Sequence, residues 1–426
     1  MISPTTIDSR IRELNNFAKA LRAEKNHLAE YLVKQVGITL NDKLWEVDFS
    51  AKTLENFEKE KPLIIPRSSL GNKAIFIPYN DPIFSLATGL GPAYLASEEG
   101  DKIILKFPVE KLPELADFMK QSIDENLNGI EFFDGNGREF IDYIPNTDVN
   151  VIMLYGHHSW VEPLEPIFRA SGQKVIFEGG SKNPFIIAKD ADVELAAETA
   201  YKNNILFSGQ ACFSSKRFYV HKSQMKDFKE KIMHLMKDTK CGDPLNPETR
   251  VGANNSKKAV DYILNQIEHA KIDGAFVEGG DYYTRNVAGK TMMILEPAMV
   301  YNCDSNMEIM RDETFGPVMA VQKYDDEKEL YKNVINSEYG LILTLFGNLE
   351  DQQIQQRLER SHGYFFHNTS MVDFLMSREH GWHEQWKGYG KSAWTWERKE
   401  DGTFSRTQGP EYFVKKFSKQ EPIIGI

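Results

Sequence analysis

The 426-residue chain is 41% hydrophobic, and its 51 Lys and Arg against 62 Asp and Glu give it a formal net charge of −11. A chain of this length is expected to form about two or three domains, each with its own core. The negative charge would repel phosphate groups, so neither nucleic acid nor an anionic membrane surface is expected as a partner.

Hydrophobic periodicity predicts alternating helices and strands. Apolar residues at helical spacing predict one long amphipathic helix over 7–36, ending at Gly37. Strands and helices then alternate, which is typical of parallel sheets covered by helices, with ligands bound at the carboxyl ends of the strands. The predicted strands are 74–79, 103–106, 151–155, 175–177, 217–221, 317–321 and 341–346. The predicted helices are 112–126, 161–170, 193–206 and 224–236.

The chain contains three cysteines, Cys212, Cys241 and Cys303. An odd, sparse set is a poor disulfide framework and a normal count for a reduced cytoplasm, so we interpret all three as thiols. The start of the sequence is unlike a signal peptide, and no apolar run approaches the roughly 20 residues that span a bilayer. We therefore expect a cytoplasmic protein without a membrane segment, and the sequence indicates no metal site.

Two segments carry chemical character. Cys212 follows a flexible Ser-Gly pair between a predicted helix and a predicted strand, so its backbone N–H is expected to be free to donate to an oxyanion. Glu178 closes an apolar strand and enters a glycine turn, 34 residues before the cysteine. Cys241 and Cys303 lack such a context and are expected to be inert.

With further segments in the same order, the sequence resembles the aldehyde dehydrogenase superfamily. Residues 209–212, Gly-Gln-Ala-Cys, match the family's Gly-Gln-x-Cys core, and 178–184 match its Glu-x-Gly-Gly-Lys-x-Pro motif except at Ser181. The other matching segments are 77–80 (the family's Pro-Trp-Asn), 103–106 (a strand ending in lysine), 312–318 (Glu-Glu-x-Phe-Gly-Pro-Val) and, more loosely, 388–392. The resemblance extends over about residues 7–414.

The resemblance implies a catalytic set and a nicotinamide cofactor, NAD or NADP. Cys212 would be the nucleophile, Asn80 an oxyanion donor and Glu178 the base that activates water. Lys106 and Glu313 would bind the two riboses, and Phe315 would pack against the nicotinamide. The remaining cofactor-site candidates are Tyr79, Glu110, Gly156, His157 and Gly179.

The resemblance also implies an α/β architecture with three parts. A Rossmann-type dinucleotide-binding domain is expected over 1–57 and 73–180, a second α/β catalytic domain over 181–396, and a small β bridging element from 58–72 with 397–426. Members of the family form dimers or tetramers, so a homodimer or homotetramer is expected. The chain is shorter than typical members, mostly at its N-terminus, so a wall of the cofactor cleft or part of the subunit interface is expected to be built differently.

Three departures from the family pattern leave alternatives open. The phosphate-binding segment lacks its usual second glycine, and His157 either binds or crowds the phosphate or lies in a plain surface loop with His158. The segment after Lys106 is one residue longer than usual, which leaves open whether Glu110 reaches a ribose and whether NAD or NADP is preferred. Ser181 replaces a glycine, which is expected to alter how Glu178 approaches the thioester.

The leading functional hypothesis is oxidation of a small-molecule aldehyde to the carboxylic acid through a cysteine thiohemiacetal and a thioester. The alternative is a CoA-acylating dehydrogenase or an acyl-thioester reductase, which the presence of Glu178 disfavours. A second alternative is a catalytically silent binding protein that keeps only the fold, suggested by the altered segment at His157. The sequence does not identify the aldehyde.

Overall fold

The computed structural model describes residues 2–65, 67–254, 256–399 and 401–420. Its α-helices are α1 (Pro4–Ala23), α2 (Lys25–Val36), α3 (Leu40–Glu55), α4 (Lys61–Ile64), α5 (Pro82–Leu95), α6 (Pro113–Asn126), α7 (Gly137–Tyr143), α8 (His158–Val161), α9 (Glu165–Ser171), α10 (Val193–Ile205), α11 (Met225–Asp238), α12 (Lys257–Ile272), α13 (Glu308–Arg311), α14 (Glu327–Ile335), α15 (Gln352–Glu359), α16 (Met371–Met376) and α17 (Phe413–Lys416). Short 3-10 helices cover Phe57–Glu60, Ile144–Asn146, Glu162–Leu164 and Leu206–Gly209.

The strands, in chain order, alternate with these helices. They are β1 (Arg67–Ser69), β2 (Lys73–Phe76), β3 (Ile103–Lys106), β4 (Ile130–Phe132), β5 (Val151–Tyr155), β6 (Lys174–Glu178), β7 (Asn183–Ile187), β8 (Ser215–His221), β9 (Phe276–Gly279), β10 (Tyr282–Val287), β11 (Lys290–Leu295), β12 (Ala298–Tyr301), β13 (Val318–Tyr324), β14 (Ile342–Phe346), β15 (Tyr364–His367), β16 (Ala393–Arg398), β17 (Phe404–Thr407) and β18 (Ser418–Gln420).

The first large sheet has seven strands in the order β17-β16-β6-β5-β2-β3-β4. Strands β6, β5, β2, β3 and β4 are parallel, and β16 and β17 add antiparallel beside β6. Both faces are covered: Ile75 and Met153 point into one apolar cluster, and their neighbours Ala74 and Ile152 into another. The carboxyl ends of the parallel strands therefore lie along one edge, where such sheets bind ligands.

The second large sheet also has seven strands, in the order β15-β14-β7-β8-β13-β12-β9. Its pairs are parallel except at the edge strand β9. Strands β7, β8 and β14 are buried along their whole length, as expected of parallel strands between two helical layers. Only residues 179–182 separate β6 of the first sheet from β7 of the second. The two sheets are therefore joined at the edge where the parallel strands of the first sheet have their carboxyl ends.

The predicted single helix over 7–36 is wrong: α1 and α2 are separate, and they break at Glu24. Both pack on the 16-residue helix α3. A straight helix over this range would be about 50 Å long, roughly twice the length of α3, so the chain must turn to keep both apolar faces buried. The predicted end is confirmed, because Gly37 caps α2 in a left-handed conformation.

The other predicted elements are present, with ends shifted by a few residues, except for the helix over 161–170. That helix is interrupted: α8 ends at Val161, a 3-10 turn follows, and α9 begins at Glu165. Pro163 and Pro166 account for the interruption, since proline lacks the N–H that a continuous helix needs.

The two segments predicted to form a bridging element contact each other. Strand β1 pairs antiparallel with β18, and Arg67 donates a 2.7 Å hydrogen bond to the Ser418 hydroxyl. Strand β16 runs past the predicted boundary at 396 and pairs with β6, so it belongs to the first sheet. The predicted division into domains otherwise stays a prediction, and its final residues 421–426 lie outside the described part of the chain.

Across the described ranges, no helix is both long and apolar enough to cross a membrane.

Gly37 provides a test of the contact between the N-terminal helices and the rest of the chain. Its φ is +77°, and a Cβ placed there would lie 2.6 Å from the Ala253 Cβ. We expect Gly37→Ala to lower the free energy of unfolding by about 2–4 kcal/mol, since left-handed strain and the clash with the Ala253 side chain add. The matched control is Gly100→Ala, which has φ +93° but open space around it, and it should lose only about 1–2 kcal/mol. Urea unfolding measures both, and equal losses would contradict the packing argument.

Candidate active site

Predicted site residues meet along the carboxyl edge of the first sheet. Lys106, Tyr155 and Glu178 end the parallel strands β3, β5 and β6. Asn80 follows β2 and precedes α5, a helix that starts with proline and is buried throughout. The parallel arrangement places these four chain positions on the same side of the molecule.

The four-residue link between the two sheets holds the Glu313 carboxylate. The backbone N–H of Ser181 donates to Glu313 Oε1 at 2.7 Å. A Cβ at Gly180 would lie 2.2 Å from Glu313 Oε2, so only glycine allows this approach. Burial raises the pKa of Glu313, and the Ser181 hydrogen bond opposes the rise.

The same link holds the backbone of Cys212. The Cys212 carbonyl accepts a hydrogen bond from the Ser181 hydroxyl and another, 2.7 Å long, from the side-chain amide of Asn183. Ser181, which replaces a glycine of the family motif, therefore connects the segment after Glu178 to the segment that contains Cys212. This contact was not anticipated from the sequence.

The chain turns sharply just before Cys212. Phe207, Ser208 and Gly209 have positive φ values of 54°, 55° and 73°. Gly209 packs so closely on the loop after Glu313 that a Cβ there would lie 2.1 Å from the carbonyl carbon of Gly316. Phe207 and Ser208 are strained in this left-handed conformation, and such strain persists only where surrounding contacts enforce it.

The thiol of Cys212 is half-buried among carboxylates. Burial raises its pKa well above the usual range, and Asp81, Glu313 and Glu178 add to the rise. The ligand-free site therefore holds a neutral thiol at pH 7. All three cysteines are free, which confirms their interpretation as thiols.

Asn80 is positioned by a buried ion pair. Its side-chain amide donates to the Gln210 carbonyl at 3.4 Å, and its own backbone carbonyl accepts from the ammonium of Lys43. Lys43 pairs with Glu46 at 2.7 Å, and both side chains are fully buried. Glu46 also accepts the backbone N–H of Ile83, at the start of α5. The available signal was a Lys and a Glu three residues apart on a helix that also carries Val47 and Leu54.

Glu178 is buried and has two contacts with the C-terminal part of the chain. The indole N–H of Trp386 donates to Glu178 Oε2, and the ammonium of Lys416 lies 3.7 Å from Oε1. Burial raises the pKa of Glu178, and Lys416 and Trp386 hold part of that rise back. Neither partner was identified from the sequence, where Trp386 stood out only as one of several nearby tryptophans.

Two predicted cofactor residues form a pair away from Cys212. The ammonium of Lys106 is buried, donates to the Phe107 carbonyl at 2.6 Å and lies 3.5 Å from the half-exposed carboxylate of Glu110. Burial lowers the pKa of Lys106, and Glu110 opposes this. In the same region the ammonium of Lys111 lies over the Tyr79 ring, 3.9 Å from its centroid.

Gly156 and Gly179 have backbone roles of different kinds. Gly156 has φ +140°, and a Cβ there would touch the indole of Trp160 at 2.6 Å, so its conformation and its surroundings both require glycine. The N–H of Gly179 donates to the Ser392 carbonyl at 2.7 Å. Gly179 therefore approaches protein backbone closely. Phe315 is half-buried, and its carbonyl accepts from Asn254 at 3.5 Å.

His157 is exposed and caps the short helix α8. Its Nδ1 lies 2.8 Å from the Ser159 hydroxyl, and its ring is 4.1 Å from that of His158. Neighbouring groups partly desolvate the imidazole and lower the pKa of His157, whereas the charge of Glu313 raises it. The imidazole therefore lies close enough to the Glu313 carboxylate to interact with it electrostatically.

Comparison with known proteins decides the family. The model of the aldehyde dehydrogenase family matches residues 2–402. The chain belongs to the aldehyde dehydrogenase family. The resemblance carried by the motifs is confirmed, and the predicted oxidoreductase that acts on aldehydes with NAD or NADP is confirmed at the level of the family.

Relatives within the aldehyde dehydrogenase family cover most of the chain. The 3,6-anhydro-alpha-L-galactose dehydrogenase of Vibrio sp. (strain EJY3) is 29% identical over 78% of this chain and 72% of its own. The 3-sulfolactaldehyde dehydrogenase of Priestia aryabhattai is 28% identical over 80% and 73%. The solved succinic semialdehyde dehydrogenase of Streptococcus pyogenes, a complex with NADP+, has a TM-score of 0.82 at 22% identity, covering 97% of this chain and 89% of that one. This likeness confirms the predicted α/β fold.

The raised pKa of Cys212 predicts how the thiol reacts in the cofactor-free protein. Because a higher pKa leaves less thiolate, we expect alkylation of Cys212 by iodoacetamide to be slow at pH 7 and to rise about tenfold per pH unit up to pH 9. Peptide mass spectrometry after timed quenching measures it, and the Cys212→Ala variant identifies labelling at the other two thiols. A rate that levels off below pH 8 would contradict a raised pKa.

Proposed function

We propose that this dehydrogenase oxidises a small aldehyde to the carboxylic acid, with Cys212 as nucleophile and Glu178 as the base for hydrolysis. The observation that carries the proposal is the link over 179–182, which follows Glu178 directly and holds both Cys212 and Glu313 by hydrogen bonds. A thiol, an amide donor and a carboxylate along one strand edge suit acyl chemistry at a carbonyl carbon.

The residues act in two stages. After Cys212 gives its proton to solvent water, its sulfur adds to the aldehyde carbon. The oxyanion formed as the carbonyl π bond breaks is stabilised by the Asn80 amide and the Cys212 backbone N–H. A bound nicotinamide cofactor supplies the hydride acceptor, and a thioester on Cys212 remains. Glu178 then takes a proton from water as the water oxygen attacks the thioester carbonyl, and the acid leaves as the thiol is restored.

The residues assigned to the cofactor suit a dinucleotide. Lys106 presents a buried ammonium at the end of a central strand. Glu313 presents a carboxylate fixed by a backbone N–H. An ammonium and a carboxylate are suitable partners for ribose hydroxyls. We propose that Lys106 and Glu313 hold the two riboses and that Phe315 packs on the nicotinamide.

Transfer of the acyl group to a thiol is the second candidate. It is favoured by one observation: Oε2 of Glu178 accepts a hydrogen bond from Trp386, and Oε1 lies 3.7 Å from the Lys416 ammonium. A thiol acceptor would not require this carboxylate as a base. Free acid or an acyl thioester as the product, formed in the presence of CoA, separates the two candidates.

Two variants test the roles of the catalytic residues. Cys212→Ala should abolish cofactor reduction, because no covalent intermediate forms. Glu178→Gln should keep one rapid turnover of cofactor reduction per site and lose steady-state turnover by about 100-fold or more, since the thioester is no longer hydrolysed. Stopped-flow absorbance and intact mass measure both effects with short aliphatic, aromatic, charged and 2-hydroxy aldehydes.

Full activity in Cys212→Ala would overturn the assignment of the nucleophile. Unchanged steady-state turnover in Glu178→Gln would overturn the assignment of the base. If calorimetry detects no binding of either cofactor, the alternative of a catalytically silent protein is favoured instead.

We also propose that NAD is preferred over NADP. The carboxylate of Glu110 lies 3.5 Å from the Lys106 ammonium and is 50% exposed, so it would repel a 2′-phosphate on the ribose that Lys106 binds. We expect Glu110→Gln to tighten NADP binding about 10-fold and to change NAD binding little. Quenching of tryptophan fluorescence measures both affinities, with Glu114→Gln as a control of equal charge change. A wild-type preference for NADP would contradict the proposal.

Assembly and location follow from the same family assignment. We propose a homodimer or homotetramer, as the resemblance to the family implies, in the cytoplasm, a location that the three free thiols support. Light scattering on the purified protein measures the mass of the assembly.

A further inference from the structure

We propose that Lys416 is a positioning residue for the hydrolytic stage: its ammonium, together with the Trp386 indole, compensates the charge of the Glu178 carboxylate and fixes its orientation. The inference rests on the proposed function, in which Glu178 is the base. No motif of the chain marks either residue. Their role follows from their contacts with the Glu178 carboxylate.

The contact is a buried ion pair between distant parts of the chain. Lys416 Nζ lies 3.7 Å from Glu178 Oε1, and the two side chains are 6% and 4% exposed. The indole N–H of Trp386 donates to the other oxygen, Oε2. Each carboxylate oxygen therefore has one partner that favours the ionised form.

Both partners are held by packing. The Trp386 ring stacks on Phe413 with centroids 5.1 Å apart, and Lys416 Nζ lies 5.4 Å from the same Phe413 ring. The backbones of Trp386 and Glu411 exchange two hydrogen bonds, 2.9 and 3.0 Å long. Helix α17 also packs on α5 and on α4. These contacts hold the Lys416 ammonium in place beside Glu178.

Lys416 supplies the positive charge in this environment. The other titratable groups that interact with Glu178 are Tyr155 on the neighbouring strand, Tyr364 on β15 and the Cys212 thiol. Each of these is neutral or becomes negative on ionisation. A buried carboxylate without a compensating cation takes up a proton instead of staying charged.

Loss of Lys416 would affect the hydrolytic stage of the reaction. Burial raises the pKa of Glu178 to about 8 even with Lys416 beside it. Without Lys416 the pKa would rise further, and the carboxylate would activate water only at a still higher pH. Formation of the thioester needs the thiol and the oxyanion donors, so the first turnover of cofactor reduction would be retained. Loss of Lys416 should therefore mimic loss of the base at pH 7 and recover as the pH rises.

The experiment compares Lys416→Met with the wild type and with Lys415→Met. Lys415 is the adjacent residue on the same helix, and its ammonium lies 5.8 Å from the Tyr412 ring, so it controls for charge and local packing. In Lys416→Met we expect the acidic limb of the kcat profile to move up by about one pH unit or more, with kcat at pH 7 about 10-fold lower. The burst should persist, and intact mass should show acyl-enzyme accumulating. Lys415→Met should behave like the wild type.

Two further variants keep the test decisive if Lys416→Met folds poorly. Lys416→Arg should restore most of the wild-type profile, because it keeps the charge. Trp386→Phe should move the same limb upward by a smaller amount, because it keeps the ring and removes the N–H. A lower melting temperature with an unchanged pH profile in Lys416→Met would overturn the proposal, and so would a failure of Lys416→Arg to restore the profile. If the wild type itself forms no free acid, the proposed function fails instead.

Discussion

The site depends on the short connection between the two sheets. Residues 179–182 leave the first sheet at Glu178 and enter the second at Asn183, so the chain crosses the active-site edge in four residues. Within that crossing, Ser181 binds the Glu313 carboxylate through its N–H and the Cys212 carbonyl through its hydroxyl. Because the connection is short, a movement at one end also moves the other end. The Cys212 thiol and the carboxylates of Glu178 and Glu313 are therefore held in fixed positions relative to one another.

Much of the fold and part of the site could be predicted from the sequence, because the signals were local. Apolar strands, the glycine that ends α2 and the segments around Cys212 and Glu178 are patterns within a few residues of each other. The single long N-terminal helix was wrong because the break at Glu24 lets both halves pack on α3, which periodicity does not report. The two prolines that interrupt 161–170 were present in the sequence and were outweighed by the apolar spacing.

The contacts around Glu178 could not be predicted because they join residues far apart in the chain. Trp386 and Lys416 lie 208 and 238 positions after the carboxylate that they contact, and a lysine in a charged tail normally indicates solvent. Ser181 is similar, since a serine in place of a glycine reads as a loss of flexibility. In the structure, its two hydrogen bonds connect the segment after Glu178 to Glu313 and to Cys212.

The order of strands in the first sheet has a consequence for biosynthesis. Strand β6 is completed at residue 178, but its neighbour β16 begins only at residue 393, and Trp394 of β16 stacks on Phe177 with ring centroids 4.6 Å apart. A nascent chain therefore carries an unpaired, apolar strand edge while the whole second sheet is being translated. Such edges pair readily with other chains. This strand edge therefore stays open to pairing with another chain until the last strands have been translated.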